Sequence, residues 1–137
     1  MHDRIVLDSS VIAAIFFPEK ITSAAIDAAA ESDCITVDLA YAEVANIAWK
    51  RVAHAGNDAD AVRSSLDSCI AFIQETCDVI PARDLITPSW DLATGHHITI
   101  YDALFIAASV RCGVPLVTAD EKLHAAVNTS CPTVLIR

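Results

Sequence analysis

Short runs of apolar residues alternate along the chain with longer segments whose apolar positions recur every three or four residues. The short runs are rich in Val and Ile, and each predicts a buried β-strand; they occupy 4–8, 34–38, 77–81, 115–119 and 133–136. The longer segments predict helices, at 10–18, 19–32, 39–54, 59–76, 82–95, 99–113 and 120–127. Pro88 either starts or interrupts the helix of 82–95.

The order of these elements predicts an α/β fold. Strands that are apolar throughout, rather than at every second position, favour a parallel sheet covered by helices on both faces. The length of 137 residues and the absence of repeats and linkers predict a single domain over residues 1–137. Ligands of such sheets bind beyond the carboxyl ends of the strands, so functional residues are expected there.

The net charge of −9 narrows the functions to be considered. A nucleic-acid-binding protein usually carries a basic patch, so this balance argues against simple electrostatic binding of RNA or DNA. It suits an acidic metal pocket, a basic protein partner or plain solubility.

Membrane, zinc and disulfide chemistry have no support in the sequence. No apolar run approaches the ~20 residues that cross a bilayer, and no signal peptide is visible, so we expect a cytoplasmic protein. The five cysteines form no CxxC pair. His96 and His97 fall in a predicted loop and are expected to be exposed rather than to bind a metal.

Two acids stand at strand ends, where a site is expected. Asp8 closes the first predicted strand, and Asp120 follows "LVT" at the end of the fourth. Either residue could instead cap the helix that follows, because an aspartate readily accepts hydrogen bonds from the first helical amides.

Two further acids interrupt apolar patterns. Glu43 lies between Leu39 and Ile47 on one helical face, where an exposed boundary position would also explain it. Asp102 stands in "TIYDALFIAAS", where a capping role with Thr99 is the alternative. Capping does not explain why the acid lies in so apolar a segment.

Four carboxylates in one pocket would repel each other unless a cation lay between them. A hard divalent ion such as Mg²⁺ or Mn²⁺ prefers oxygen ligands and keeps waters that a hydrolase can use. The spacing alone does not establish that the four acids converge.

Four segments of the chain carry a family resemblance: "IVLDSSVIAA", "DLAYAEVANIAWKR", "ITIYDALFIAAS" and "LVTADEKLHAAV". In order and spacing the sequence resembles PIN-domain ribonucleases, most closely VapC-type toxins of VapBC toxin–antitoxin pairs. The resemblance covers nearly the whole chain. It implies a three-layer α/β/α fold with a central, mainly parallel sheet of about five strands.

The resemblance also implies a site. Asp8, Glu43, Asp102 and Asp120 match the family's metal-binding and catalytic acids. The matching positions for supporting polar residues are Ser10, Asn46 and Thr118.

The implied reaction is endonucleolytic hydrolysis of single-stranded RNA with Mg²⁺ or Mn²⁺, leaving a 5′-phosphate and a 3′-hydroxyl. A homodimer is implied, and so is inhibition by a cognate antitoxin whose basic tail enters the acidic pocket. The candidate contacts to RNA phosphates are Lys50, Arg51 and Lys122, although each could be an ordinary exposed helix residue.

Three other functions are consistent with parts of the pattern. A PIN nuclease of RNA processing outside any toxin pair would carry the same acids, and an inactive PIN domain would serve as a binding module. A phosphoacceptor receiver domain also has acids at strand ends. The first strand lacks the adjacent acid pair of receivers, and Glu43 on a helix has no role in one.

Overall fold

The structure, a computed structural model, describes residues 3–137, which form alternating strands and helices. The strands are β1 (Asp3–Leu7), β2 (Ser32–Val37), β3 (Asp78–Ile80), β4 (Leu116–Thr118) and β5 (Thr133–Leu135). The α-helices are α1 (Ser9–Phe16), α2 (Thr22–Ala30), α3 (Leu39–Ala53), α4 (Ala59–Glu75), α5 (Ile86–His96), α6 (Ile100–Cys112) and α7 (Glu121–Val127). A 3₁₀ helix over Ala82–Leu85 leads into α5.

The five strands form one parallel sheet in the order β3-β2-β1-β4-β5. Crossovers between parallel strands are right-handed, so α1–α4 cover one face of the sheet and α5–α7 cover the other. The packing of α1 on α2, α3 and α4, and of α5 on α6, agrees with this division. The predicted three-layer α/β/α fold with a parallel five-stranded sheet is confirmed.

Strand β1 lies in the middle of the sheet, at the point where the strand order reverses. The chain leaves β1 towards β2 and β3 and later returns to β4 on the other side of β1. The helices that follow β1 and β4 therefore run to opposite faces of the sheet. This opens a crevice at the carboxyl ends of these two strands. The buried Thr36 hydroxyl donates a 2.9 Å hydrogen bond to the Leu7 carbonyl and ties β2 to the end of β1.

Helix α6 is the most deeply buried helix of the fold. Every residue from Ala103 to Ser109 is buried, because the helix packs on α5 and on strands β1, β2 and β4. Such a helix is apolar on all sides, which accounts for the sequence around Asp102. Within the described residues 3–137, no helix is long and apolar enough to cross a membrane.

The structure moves two predicted helix boundaries and decides the role of Pro88. Helix α2 begins at Thr22 rather than at 19, because the Glu19 amide donates to the Thr22 hydroxyl at 2.9 Å and the Thr22 amide donates to the Glu19 carbonyl at 3.2 Å, which holds residues 19–21 in a turn. Pro88 lies in the first turn of α5, where a missing amide breaks no helical hydrogen bond. The predicted loop position of His96 is wrong: it ends α5, and His97 follows in the left-handed conformation with φ 56°.

Two fully buried serines should respond oppositely to replacement by alanine. Of the buried side-chain polar atoms within residues 3–137, Ser89 Oγ has no hydrogen-bond partner, whereas Ser109 Oγ donates to the Val114 carbonyl at 2.5 Å. Ser89→Ala should raise the free energy of unfolding by about 1 kcal/mol and Ser109→Ala should lower it by about 1 kcal/mol. Urea denaturation measures both. A loss of stability in Ser89→Ala would contradict this account of the Ser89 hydroxyl.

Candidate active site

Asp8 is held at the carboxyl end of β1 by three hydrogen bonds to its side chain. Its extended backbone (φ −82°, ψ 172°) makes it the N-cap of α1, and one carboxylate oxygen accepts from the Val11 amide at 3.1 Å. The same oxygen accepts from the Ser10 hydroxyl at 2.7 Å. With 7% of its surface exposed, Asp8 is a buried carboxylate whose charge is partly satisfied by these donors.

Thr118 connects the ends of β1 and β4. Its hydroxyl accepts from the Asp120 amide at 3.1 Å, so its one proton is directed to the second oxygen of Asp8, 2.5 Å away. The Asp8 amide also donates to the Val117 carbonyl at 3.4 Å. Because Thr118 is fully buried, these bonds fix the position of the Asp8 carboxylate relative to the segment that carries Asp120.

Glu43 projects from α3 towards the N-terminus of α1. Its Oε1 accepts a 2.6 Å hydrogen bond from the hydroxyl of Ser9, which is buried at the first position of α1. Ser9 was not among the residues predicted from the sequence. A serine beside Ser10 gives no pattern that would distinguish it, and only the packing of α1 on α3 shows its role.

Asp102 and Asp120 stand at the N-termini of α6 and α7. Thr99 caps α6 by accepting from the Asp102 amide at 3.1 Å, so the capping alternative is correct for Thr99 and leaves the Asp102 carboxylate half-buried in the first turn. Asp120 is itself the N-cap of α7 and accepts from the Leu123 amide at 3.0 Å. Both acids lie where the positive ends of helix dipoles favour negative charge.

These elements surround a cleft of about 400 Å³ at the carboxyl ends of β1 and β4. Its polar lining contains all four predicted acids together with predicted supporting residues, and the rest of the lining is largely apolar. The lining residues are Asp8, Ser9, Ser10, Leu39, Ala42, Glu43, Asn46, Ile47, Lys50, Tyr101, Asp102, Phe105 and Asp120. The structure therefore brings together residues that lie up to 112 positions apart in the sequence.

Burial and mutual repulsion raise the pKa values of three of these carboxyl groups. Burial is the largest cause for Asp8 and outweighs the hydrogen bonds that lower its pKa, and the charge of Asp102 raises it further. The pKa of Glu43 is raised by burial and by the charges of Asp102 and Asp8. The pKa of Asp102 is raised by burial and then by the charge of Asp120. These couplings show that the four acids share one electrostatic site.

The donor set fits a hard divalent cation. The cleft offers carboxylate oxygens, with hydroxyl and amide oxygens near them, and such ligands select Mg²⁺ or Mn²⁺ over softer metals. Within residues 3–137, no three acidic, histidine or cysteine side chains already stand in the geometry of a metal site. The fit therefore lies in the chemistry of the ligands and in the repulsion that a cation would relieve.

The three basic residues predicted from the sequence occupy different surroundings. Lys50 lines the cleft. Arg51 points away from it, forms an ion pair with Glu19 at 3.6 Å and lies over the ring of Phe17 at 5.1 Å. Lys122 is exposed on α7 and does not line the cleft.

Comparison with known proteins relates the chain to one family. A model of the PIN domain matches residues 5–128. Ribonuclease VapC3 of Pyrobaculum aerophilum is 31% identical over 121 residues, which make up 88% of this chain and 92% of that protein. Ribonuclease VapC1 of Mycobacterium tuberculosis is 35% identical over 78 residues, which make up 57% of this chain and 56% of that protein.

Solved structures with low sequence identity share the fold. The toxin VapC20 of Mycobacterium tuberculosis, described as cleaving the sarcin-ricin loop, superposes with a TM-score of 0.71 at 18% identity and covers 90% of this chain and 95% of its own. VapBC2 of Rickettsia felis, bound to a promoter DNA fragment, gives a TM-score of 0.68 at 15% identity. The superposition covers 98% of this chain and 99% of that chain.

Removing one site charge should stabilise the protein in the absence of divalent metal. Because burial and Asp120 raise the pKa of Asp102, the folded state binds this proton more tightly than the unfolded chain does. The resulting stability is complete below about pH 4 and is lost as the pH rises through the folded-state pKa. In EDTA at pH 7, Asp102→Asn should therefore unfold a few degrees above the wild type, and the gain should vanish below about pH 4.

Thermal denaturation across this pH range measures the effect, with Asp27→Asn on the exposed surface of α2 as the control. An equal gain at both ends of the range would show that better packing of the amide, rather than relief of repulsion, is responsible.

Proposed function

The chain belongs to the PIN domain family, and from this premise we propose that it is a metal-dependent endoribonuclease that cleaves single-stranded RNA. One observation carries the proposal: four acids from separate segments line one cleft at the topological switch point of the sheet. The relatives named ribonucleases support the choice of RNA as substrate. Such a substrate would place the activity in the cytoplasm.

Asp8, Glu43, Asp102 and Asp120 are the residues that would hold Mg²⁺ or Mn²⁺. When bound, the cation would offset the charge of the phosphodiester and make water a stronger nucleophile at neutral pH. Asp8, Glu43 and Asp102 share the largest burial and mutual repulsion, so they form the centre of the proposed site. Asp120 is exposed and would act at its rim.

The protein's own contribution to the reaction is positioning. Thr118, Ser10 and the Val11 amide hold the Asp8 carboxylate before any substrate arrives. Ser9 holds Oε1 of Glu43 by donating its hydroxyl proton. Carboxylates fixed in advance need no reorganisation during the reaction, which is the largest source of electrostatic catalysis in many enzymes.

Lys50 is the best-placed cation for a substrate phosphate, because it lines the cleft beside the acids. Arg51 is engaged with Glu19 and Phe17, and Lys122 lies outside the cleft. Any contact of these two residues with RNA would involve nucleotides beyond the cleft. Asn46 lies one turn from Glu43 on α3 and could donate to a phosphate or a water.

The proposed biological role is that of a toxin inhibited by a cognate antitoxin. An acidic cleft attracts a basic peptide segment, which could occupy the metal and substrate positions together. Structural neighbours described as toxin–antitoxin complexes, among them one from Klebsiella pneumoniae, support such a partner. A nuclease of RNA processing would use the same site without this inhibitor.

We also propose a homodimer formed through the outer surface of α5 and α6. Ile86, Trp90 and Val110 expose 48%, 63% and 54% of their surfaces there. Val110 lines a groove of about 650 Å³ on this surface, which also contains Asp84, Asp91 and Arg111. A surface with an apolar centre and charges of both signs can be complementary to a second copy of itself.

Asp8→Asn and Asp102→Asn should each abolish Mn²⁺-dependent cleavage of RNA, by at least about a hundredfold, because each removes a negative ligand from the site. Both variants should keep the circular dichroism spectrum of the wild type. Purified protein is incubated with total RNA and with short unstructured oligoribonucleotides, with Mn²⁺ or Mg²⁺ and with EDTA. Asp27→Asn, on the exposed surface of α2, is the matched control and should cleave at the wild-type rate. Full cleavage by both acid variants, or cleavage in EDTA, would contradict the proposed site.

Trp90→Glu should shift the protein from dimer to monomer, because it places a charge in the apolar centre of the α5–α6 surface. Sedimentation equilibrium measures the mass, with Trp49→Glu on α3 as the control for an exposed tryptophan elsewhere. A wild-type monomer at high protein concentration, or a dimer broken only by the control, would disprove this interface.

A further inference from the structure

Tyr101 is an exposed aromatic residue on the wall of the cleft. It is the second residue of α6, directly before Asp102, and 57% of its surface is accessible. No residue within 3–137 forms a hydrogen bond with its hydroxyl group. No hydrogen bond within the described residues therefore explains the position of this hydroxyl group.

The cleft lining combines the acids with an apolar wall. Leu39 and Ile47 from α3 and Phe105 from α6 form part of this wall, and Tyr101 lies one helical turn before Phe105 on the same face of α6. A site for a phosphodiester alone would need only polar and charged groups. An apolar and aromatic wall suits the flat face of a nucleobase.

The charge of the cleft limits how it can bind a nucleic acid. Four acids and one cation, Lys50, line it within the described part of the chain. Most nucleic-acid-binding proteins obtain much of their affinity from Lys and Arg contacts to phosphates. Here that source is small, so stacking on an aromatic ring, which does not depend on charge, would add affinity to that supplied by the proposed cation.

We propose that Tyr101 is a substrate-positioning residue that stacks on an unpaired base beside the cleaved phosphodiester. The inference rests on the proposed nuclease function and deepens it. Because Tyr101 adjoins Asp102, a base on its ring brings the neighbouring phosphate to the carboxylates. Only an unpaired, unstacked base can present its face to the ring, so Tyr101 also selects single-stranded substrate.

Other aromatic residues do not offer this contact. Trp49 and Trp90 are exposed outside the cleft, and Phe105 has 2% of its surface accessible. The sequence contains no series of aromatics at a spacing typical of base-stacking surfaces, so Tyr101 emerges only from the arrangement of α6 beside the acids.

The test combines protein variants with abasic substrates. A short unstructured oligoribonucleotide that the wild type cleaves at one mapped bond is prepared with single abasic sites on either side of that bond. Tyr101→Ala should raise KM by roughly 5- to 140-fold, the range that corresponds to loss of one stacked base, with kcat within about threefold. Tyr101→Phe, which keeps the ring, should match the wild type. Thermal unfolding should be unchanged, since the side chain is exposed.

One abasic position should raise KM for the wild type by a similar factor. The same abasic position should not raise the KM of Tyr101→Ala any further, since the two changes remove the same contact. Equal KM values for wild type and Tyr101→Ala, or an abasic effect that persists undiminished in Tyr101→Ala, would overturn the stacking role alone. A wild-type protein that cleaves no RNA with either metal would overturn the nuclease function and this inference with it.

Discussion

The structure depends on satisfying one buried negative charge at the end of the central strand. Asp8 has 7% of its surface exposed, and an unpaired carboxylate at such a position would cost several kcal/mol. Its donors come from the first turn of α1 and from Thr118 on β4. The hydrogen bonds of Asp8 thus join the start of α1 and the end of β4 to β1, and the Thr118 hydroxyl extends this network to the Asp120 amide.

Capping a helix does not compete with the role proposed for Asp8 and Asp120. Asp8 and Asp120 each cap a helix with one carboxylate oxygen. Because a carboxylate has two oxygens and about four acceptor positions, capping leaves capacity for a second role. The sequence presents these roles as alternatives, whereas the geometry shows that the cap is what orients each acid.

The apolar pattern predicted the parallel sheet, and the family resemblance pointed to the four acids that line the cleft, but neither predicted the contacts around them. The apolar strands predict the parallel sheet, and the ends of β1 and β4 follow from it. Ser9, however, acquires its role only from the packing of α1 on α3. Lys50 and Arg51 are adjacent in sequence but project in directions about 100° apart on α3, so one lines the cleft and the other pairs with Glu19.

The distribution of the site along the chain has a consequence for protein synthesis. Thr118 and Asp120 belong to the last fifth of the sequence, and β4 is the strand that pairs with β1 to complete the crevice. A chain still attached to the ribosome, with this segment inside the exit tunnel, has neither the bridging hydroxyl nor the fourth acid. The cleft described above can therefore form only after residues 116–120 have joined the sheet beside β1, well after β1, α1 and α3 have been synthesised.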